Sequence, residues 1–171
     1  MKPVFSNNAL YLKRRYPMDK IKDIVLMNAY WYMIPILVFN IVFAKKLTDA
    51  NYLTQPNDIG SLDSIETVLR IAVWILPIFL FIDYGHSNFK TYFILYLIGI
   101  TIYFATWVFI IYFPEFKISK SWWILLGPAY TPFIWLTAVS LLSQQGQWLI
   151  VISFVFTIIH TLSTYLKLRP L

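Results

Sequence analysis

Five long apolar runs dominate the chain, at residues 24–43, 65–82, 91–113, 122–142 and 148–166. Each comes close to the roughly 20 residues a helix needs to cross the hydrocarbon core of a bilayer. Barrel strands do not fit the pattern, because they alternate apolar and polar residues over about ten positions. These runs are apolar nearly all round. The charges agree: every acidic residue falls in a terminus, a loop or the end turns of a run, and Arg70 is the one basic residue placed deeper. A soluble core interleaves its charges at helical or strand period instead. Only 13% of the residues are charged and 59% are hydrophobic, against about 25% charged in an ordinary soluble domain. A small domain cannot hide that excess from water. The sequence predicts an all-α, polytopic integral membrane bundle: one domain over residues 1–171, about five transmembrane helices, and a short basic segment at residues 1–20.

The ends of the runs carry boundary signals. Asp63 with Glu66 three residues later has the spacing of a capping box opening the second helix. Gly85 to Asn88 form a turn before the third, Pro114 ends it, and Gly146 lies in the turn before the fifth. Trp122, Trp123, Trp148 and Tyr165 fall near run ends, where amphipathic rings favour the headgroup level. The first run is too long for a signal peptide, and no small-residue cleavage site follows it before Lys45-Lys46. Five spans place the termini on opposite sides. The basic residues divide almost evenly between the two faces, so the dense cluster of Lys13, Arg14, Arg15, Lys20 and Lys22 before the first helix decides the orientation. It predicts a cytoplasmic N-terminus and a C-terminus across the membrane. The same cluster reads as a contact for anionic lipid. Nucleic acid is not an expected partner, because so short a segment cannot build a folded basic surface with stacking aromatics. With no cysteine in the chain, disulfide and thiolate chemistry are excluded.

Polar residues inside the runs point to where function would reside, since lipid makes unpaired polar groups costly. In the third run Tyr92, Tyr96, Gly99, Tyr103 and Thr106 recur at spacings of four and three, and in the fifth Ser153, Thr157, His160 and Thr164 do the same. The first run offers Asn28, Tyr32 and Pro35. Each set occupies one face of its helix, and the economical arrangement turns the three faces toward one another. Such residues serve either as packing glue or as the lining of a pocket in the bundle core. On the second reading the ligand-contacting set is Asn28, Tyr32, Tyr96, Tyr103, Thr106, Tyr130, Thr157 and His160.

His160 is the only residue inside the runs that titrates near neutral pH. Among hydroxyls, and with the acidic residues confined to termini, loops and the end turns of the runs, it is expected to be neutral and hydrogen-bonded. A metal site is not expected, because no second ligand accompanies it, and the sequence implies no cofactor. Arg70 stands four residues after Glu66, the spacing of a helix ion pair; its depth also suits contact with an anionic lipid. In the fourth run, Pro128 and Pro132 each remove a backbone donor and clash with a preceding carbonyl, which predicts a kink.

The Trp-rich five-helix plan resembles the translocator-protein family, whose members bind tetrapyrroles and other apolar ligands. Gly127-Pro128-Ala129-Tyr130-Thr131 is similar to a Gly-Pro-aromatic-Thr stretch that this family carries near its second helix, whereas here it falls in the fourth. The size is also similar to that of four-helix sterol-isomerase-like proteins, which rely on acidic groups within their helices; no residue role is carried over from either. The functional expectation is non-enzymatic binding of a small apolar or amphipathic ligand, or a lipid, in the bundle interior. The alternatives are an accessory subunit whose polar faces pack on a partner protein or a further copy, and then a membrane enzyme.

Overall fold

The computed structural model describes residues 25–49, 60–143 and 146–168. Among them the chain is all-helical apart from an isolated bridge between Asn28 and Phe81. A 3-10 turn at Ala29–Tyr32 leads into α1 (Ile34–Asp49). Next come α2 (Ser61–Ile75), continued by a 3-10 turn at Leu76–Phe79, and α3 (Phe89–Tyr112). The fourth run is three pieces, α4 (Trp122–Leu125), α5 (Gly127–Tyr130) and α6 (Pro132–Ser143), and α7 (Gln147–Leu168) closes the bundle. Of these, α3 and α7 are each long and apolar enough to cross a membrane.

Two runs expected as single helices are interrupted, the first by contacts to a distant segment and the second by a proline. Over 24–43, Asn28 stops the helix. Its amide donates to Ile78 O at 2.7 Å and its side-chain oxygen accepts from Tyr30 N at 2.8 Å. The flanking backbone pairs with the end of the second run, through Ala29 N to Leu80 O at 2.9 Å and Ile82 N to Met27 O at 2.7 Å. The helix resumes at Ile34, with Pro35 in its first turn, where the missing N–H costs nothing. Over 65–82, Pro77 has no N–H to continue the ladder, so α2 gives way to the 3-10 turn and then to extended chain at Leu80. The kink expected in the fourth run takes the form of two one-residue interruptions, at Leu126 and Thr131, whose backbone stays in the right-handed helical region.

The start of α2 also departs from expectation. The helix opens at Ser61 after Gly60, whose φ of 53° suits a residue without Cβ, and no side chain caps it. Asp63 already lies inside the first turn, so Asp63 and Glu66 form no capping box; both carboxylates turn to α7 instead.

Contacts at the two ends show the runs alternating in direction. At one end Lys46 Nζ reaches Tyr112 OH at 2.7 Å, Trp122 packs on Tyr165 with ring centroids 5.1 Å apart, and Lys167 Nζ meets Asp63 Oδ1 at 2.7 Å. At the other, Asn28 holds Ile78, and Asp83 N donates to Leu142 O at 3.0 Å. The most buried helix is α6, which packs against α3 and α7 and hides Trp135, Leu136, Ala138, Val139 and Leu142. Its approach to α3 depends on Gly99, where a Cβ would lie 2.9 Å from Trp135 N. Small residues let helix backbones come this close. Gly99→Ala is therefore expected to overpack the contact and cost about 1–3 kcal/mol. A melting curve in mild detergent checks this against Ala105→Ser, an exposed position on the same helix; equal melting temperatures would contradict the close approach.

Candidate functional site

A polar seam joins α2 to α7. On α2, Asp63, Glu66 and Arg70 recur at spacings of three and four and so share one face; on α7, His160, Ser163 and Lys167 do likewise. The helices run antiparallel, so the two series meet in reverse order. Asp63 Oδ1 accepts from Lys167 Nζ at 2.7 Å and from Ser163 Oγ at 3.3 Å. One turn deeper, Glu66 Oε1 lies 2.9 Å from His160 Nδ1 and also accepts from Arg70 Nη2, while Lys167 Nζ is 4.0 Å from Oε2. Glu66 is only 4% exposed. A carboxylate so placed is tolerable only with partners on several sides, since an ion loses several kcal/mol of hydration on burial.

His160 therefore does have a carboxylate partner, contrary to the expectation of hydroxyls alone. The sequence places Glu66 at the end of its run; the structure carries that end inward because α7 covers it. Phe156 stacks on the imidazole at 5.1 Å, and Thr164 donates to the His160 carbonyl at 2.8 Å. The expected Arg70–Glu66 ion pair is present.

Beside this seam lies a cavity of about 290 Å³ bordered by every run. Asn40 and Ile36 of α1 face it, with Arg70, Val73 and Trp74 of α2 and Tyr103 and Trp107 of α3. The broken fourth run contributes Pro128, Ala129, Pro132 and Trp135, and α7 adds Phe156, His160 and Thr164. Proline breaks explain the space, because α5 and the start of α6 do not present the regular ridges that would fill it.

Of the nine residues singled out in the sequence, Tyr103, His160 and Arg70 meet at this cavity and the other six do not. Tyr103 OH donates to Asn40 Oδ1 at 2.8 Å. Tyr32 and Tyr96 form an edge-to-face pair at 5.0 Å, with Tyr96 OH on Tyr32 O at 2.7 Å. Thr106 donates to Tyr103 O at 2.8 Å and its methyl meets the space a Cβ on Gly127 would need. Tyr130 OH bonds Trp123 O at 3.0 Å, Thr157 lines a separate shallow groove, and Asn28 holds the chain break. The three polar stripes thus do not converge on one space. Sequence reasoning missed Asn40, Trp135 and Lys167, took Asp63 and Glu66 for a capping box, and paired Glu66 with Arg70 alone. The available signal was charge complementarity: acid, acid, base on α2 against imidazole, hydroxyl, base on α7, at one shared period.

No family model, curated protein or solved structure matches the chain, so the likeness of the Gly127–Thr131 stretch to translocator proteins assigns neither family nor residue roles. What the site offers must be read from its chemistry.

The seam makes a direct prediction. Glu66→Gln and His160→Phe each break the same contact, so each is expected to lower stability by about 1–3 kcal/mol. The double variant should be about as stable as the weaker single one, a coupling that a double-mutant cycle of unfolding midpoints measures. Additive losses would mean that the two side chains do not touch.

Proposed function

We propose that this chain is a five-span membrane protein that binds a small apolar or amphipathic molecule in its central cavity without chemically changing it. The membrane reading is supported by the outward faces of the helices. Ile41 and Val42 on α1, Val68 and Ile71 on α2, Ile94 and Ile98 on α3, and Val151 and Phe154 on α7 are each at least half exposed. Apolar surface on this scale invites aggregation in water and is the ordinary exterior of a helix in lipid. The alternating direction of the runs supports five passes, and the basic residues before the first run favour a cytoplasmic N-terminus. Lys46, Tyr112, Trp122 and Lys167 would then lie toward the far face.

The observation that carries the binding reading is the cavity itself, mostly apolar, bordered by all five runs and placed where bundles hold ligands. Three of its polar wall groups are committed to structural bonds: His160 Nδ1 to Glu66, Tyr103 OH to Asn40, Thr164 to a backbone carbonyl. That arrangement favours holding a molecule over transforming it.

Native mass spectrometry from mild detergent is the test. The parent is expected to retain a small bound mass, and Ala129→Phe, which places a ring into the cavity, is expected to lose it. Retention of the same mass by the filled variant would contradict binding at this place. A copurifying membrane protein with no small bound mass would favour an accessory subunit. For topology, single cysteines introduced at Ser6 and Leu171 should label from opposite sides of the membrane; labelling from one side would contradict an odd number of spans.

A further inference from the structure

The runs form a ring around the cavity, and neighbours in that ring are packed together at every seam but one. Asn40 and Tyr103 at 2.8 Å, Phe39 stacked on Phe104 at 4.6 Å and Lys46 on Tyr112 at 2.7 Å hold α1 to α3. Gly99 and Gly127 bring α3 against the fourth run, and Phe133 meets Phe154 of α7 at 5.6 Å. The polar seam then joins α7 to α2. Between α2 and α1 the pattern changes. Among the described residues the two runs are tied at one end, where Asn28 holds Ile78 and Ala29 N donates to Leu80 O, while the helices beyond that tie scarcely touch.

Exposure follows that separation. On α1 the cavity-bordering residues Ile36 and Asn40 pass from 1% exposed to partly exposed. On α2, Val73 is 2% exposed, whereas the Arg70 side chain is 51% exposed. Each pair is three or four residues apart and shares a helix face, and both gradients rise with distance from the Asn28–Ile78 tie. Two helices joined at one end and splayed at the other give this result. The wedge is widest inside the apolar runs. Asn40 stands three residues before the end of the first run and Arg70 five after the start of the second, roughly 5–8 Å within the apolar stretch at 1.5 Å per residue. A long basic side chain at that depth reaches the headgroups by snorkelling, and the gap between the helices faces acyl chains.

We propose that the cavity opens sideways to the bilayer between α1 and α2 and fills from the lipid phase. Its ligand is then a small apolar molecule dissolved in the membrane, not a solute that arrives from water. This inference rests on the cavity being a binding site and on the chain spanning the membrane. An apolar molecule that enters by this route moves from acyl chains to a mostly apolar wall and never returns its surface to water. The mouth needs no moving lid, because α1 is already held away from α2 by its contacts with α3.

The probe for the test is 3-trifluoromethyl-3-phenyldiazirine, a small photoreactive molecule that partitions into lipid, added to the full chain in liposomes. Peptide mass spectrometry reads its insertion at Trp107 and Phe156, buried residues of the cavity wall, and at Ile98, exposed on the outer face of α3. The parent should be labelled at all three. The gap is closed by joining Asn40→Cys and Arg70→Cys in this cysteine-free chain with a flexible bis-maleimide. The unbridged double variant is the reference, so the loss of both side chains is common to the two arms. Bridging should cut the wall label about tenfold relative to Ile98, as closure of an entry route does. A bridge between Asp63→Cys and Ser163→Cys, across the packed seam, should leave the ratio unchanged. Equal wall labelling with and without the bridge at 40 and 70 would overturn lateral entry.

A nitroxide on Asn40→Cys gives a second reading that needs neither the double variant nor a bound probe. Oxygen, which concentrates in lipid, should collide with it nearly as often as with a nitroxide on Ile41→Cys, the exposed neighbour on the same helix, while a water-soluble nickel chelate should rarely reach it. Frequent collisions with the chelate, or few with either, would overturn the proposal. The binding reading fails by a different signature: a parent labelled at Ile98 but not at Trp107 or Phe156, or wall labelling that survives Ala129→Phe.

Discussion

The buried carboxylate of Glu66 is the constraint on which the arrangement of the bundle depends. A charge in so apolar a setting must be met by opposite charge or by donors, and the groups that meet it lie on two helices. Arg70 comes from its own helix, His160 and Lys167 from α7. Because Asp63 and Ser163 continue the series, sliding α7 by one turn along α2 would disrupt the contacts of Glu66 with His160 and of Asp63 with Ser163 together. The seam therefore fixes direction and register together, which apolar side chains packed in lipid do poorly, since tails and side chains are equally apolar.

That register determines where the cavity lies. With α7 held against α2, the side chains one turn below Glu66 and His160 face the middle of the bundle, where the fourth run is broken. Gly99 and Gly127 bring α3 against the fourth run above and below this point, and the two prolines keep the chain between them from filling it. The result is a space with an aromatic lining and a cationic edge. Its polar edge is the inner end of a seam that reaches outward to Lys167 and Asp63, both partly exposed.

Much of the fold was legible because lipid-length apolar runs leave little choice. The long helices α3 and α7 fall within two residues of the expected 91–113 and 148–166. Their apolar stretches are bounded by polar turns and contain no proline. The first two runs read less well, since an asparagine bonding to a distant carbonyl acts through a tertiary contact, and a proline near a run's end through a missing N–H, neither of which hydropathy registers. At the site, Arg70, Tyr103 and His160 were legible as polar groups out of place in an apolar run. Glu66 was legible as the partner of Arg70, but its contact with His160 was not, because a carboxylate near a helix start looks like a cap until the neighbouring helix is known. Tyr32, Tyr96 and Thr106 misled for the opposite reason: hydroxyls and rings that pair with nearby backbone and with one another give the same spacing as those that line a pocket.

The antiparallel pairing of α2 with α7 is the claim beneath both the fold and the site, and the absence of native cysteine makes it directly measurable. Asp63 and Ser163 have short side chains in contact at 3.3 Å, whereas Ser153 lies ten residues earlier on α7, about 15 Å along the helix. Cysteine pairs at positions 63 and 163, and separately at 63 and 153, can be oxidised in native membranes and scored for intramolecular crosslinking. The account predicts efficient crosslinking of the first pair and little of the second. Failure of the first pair, or equal crosslinking of both, would contradict it.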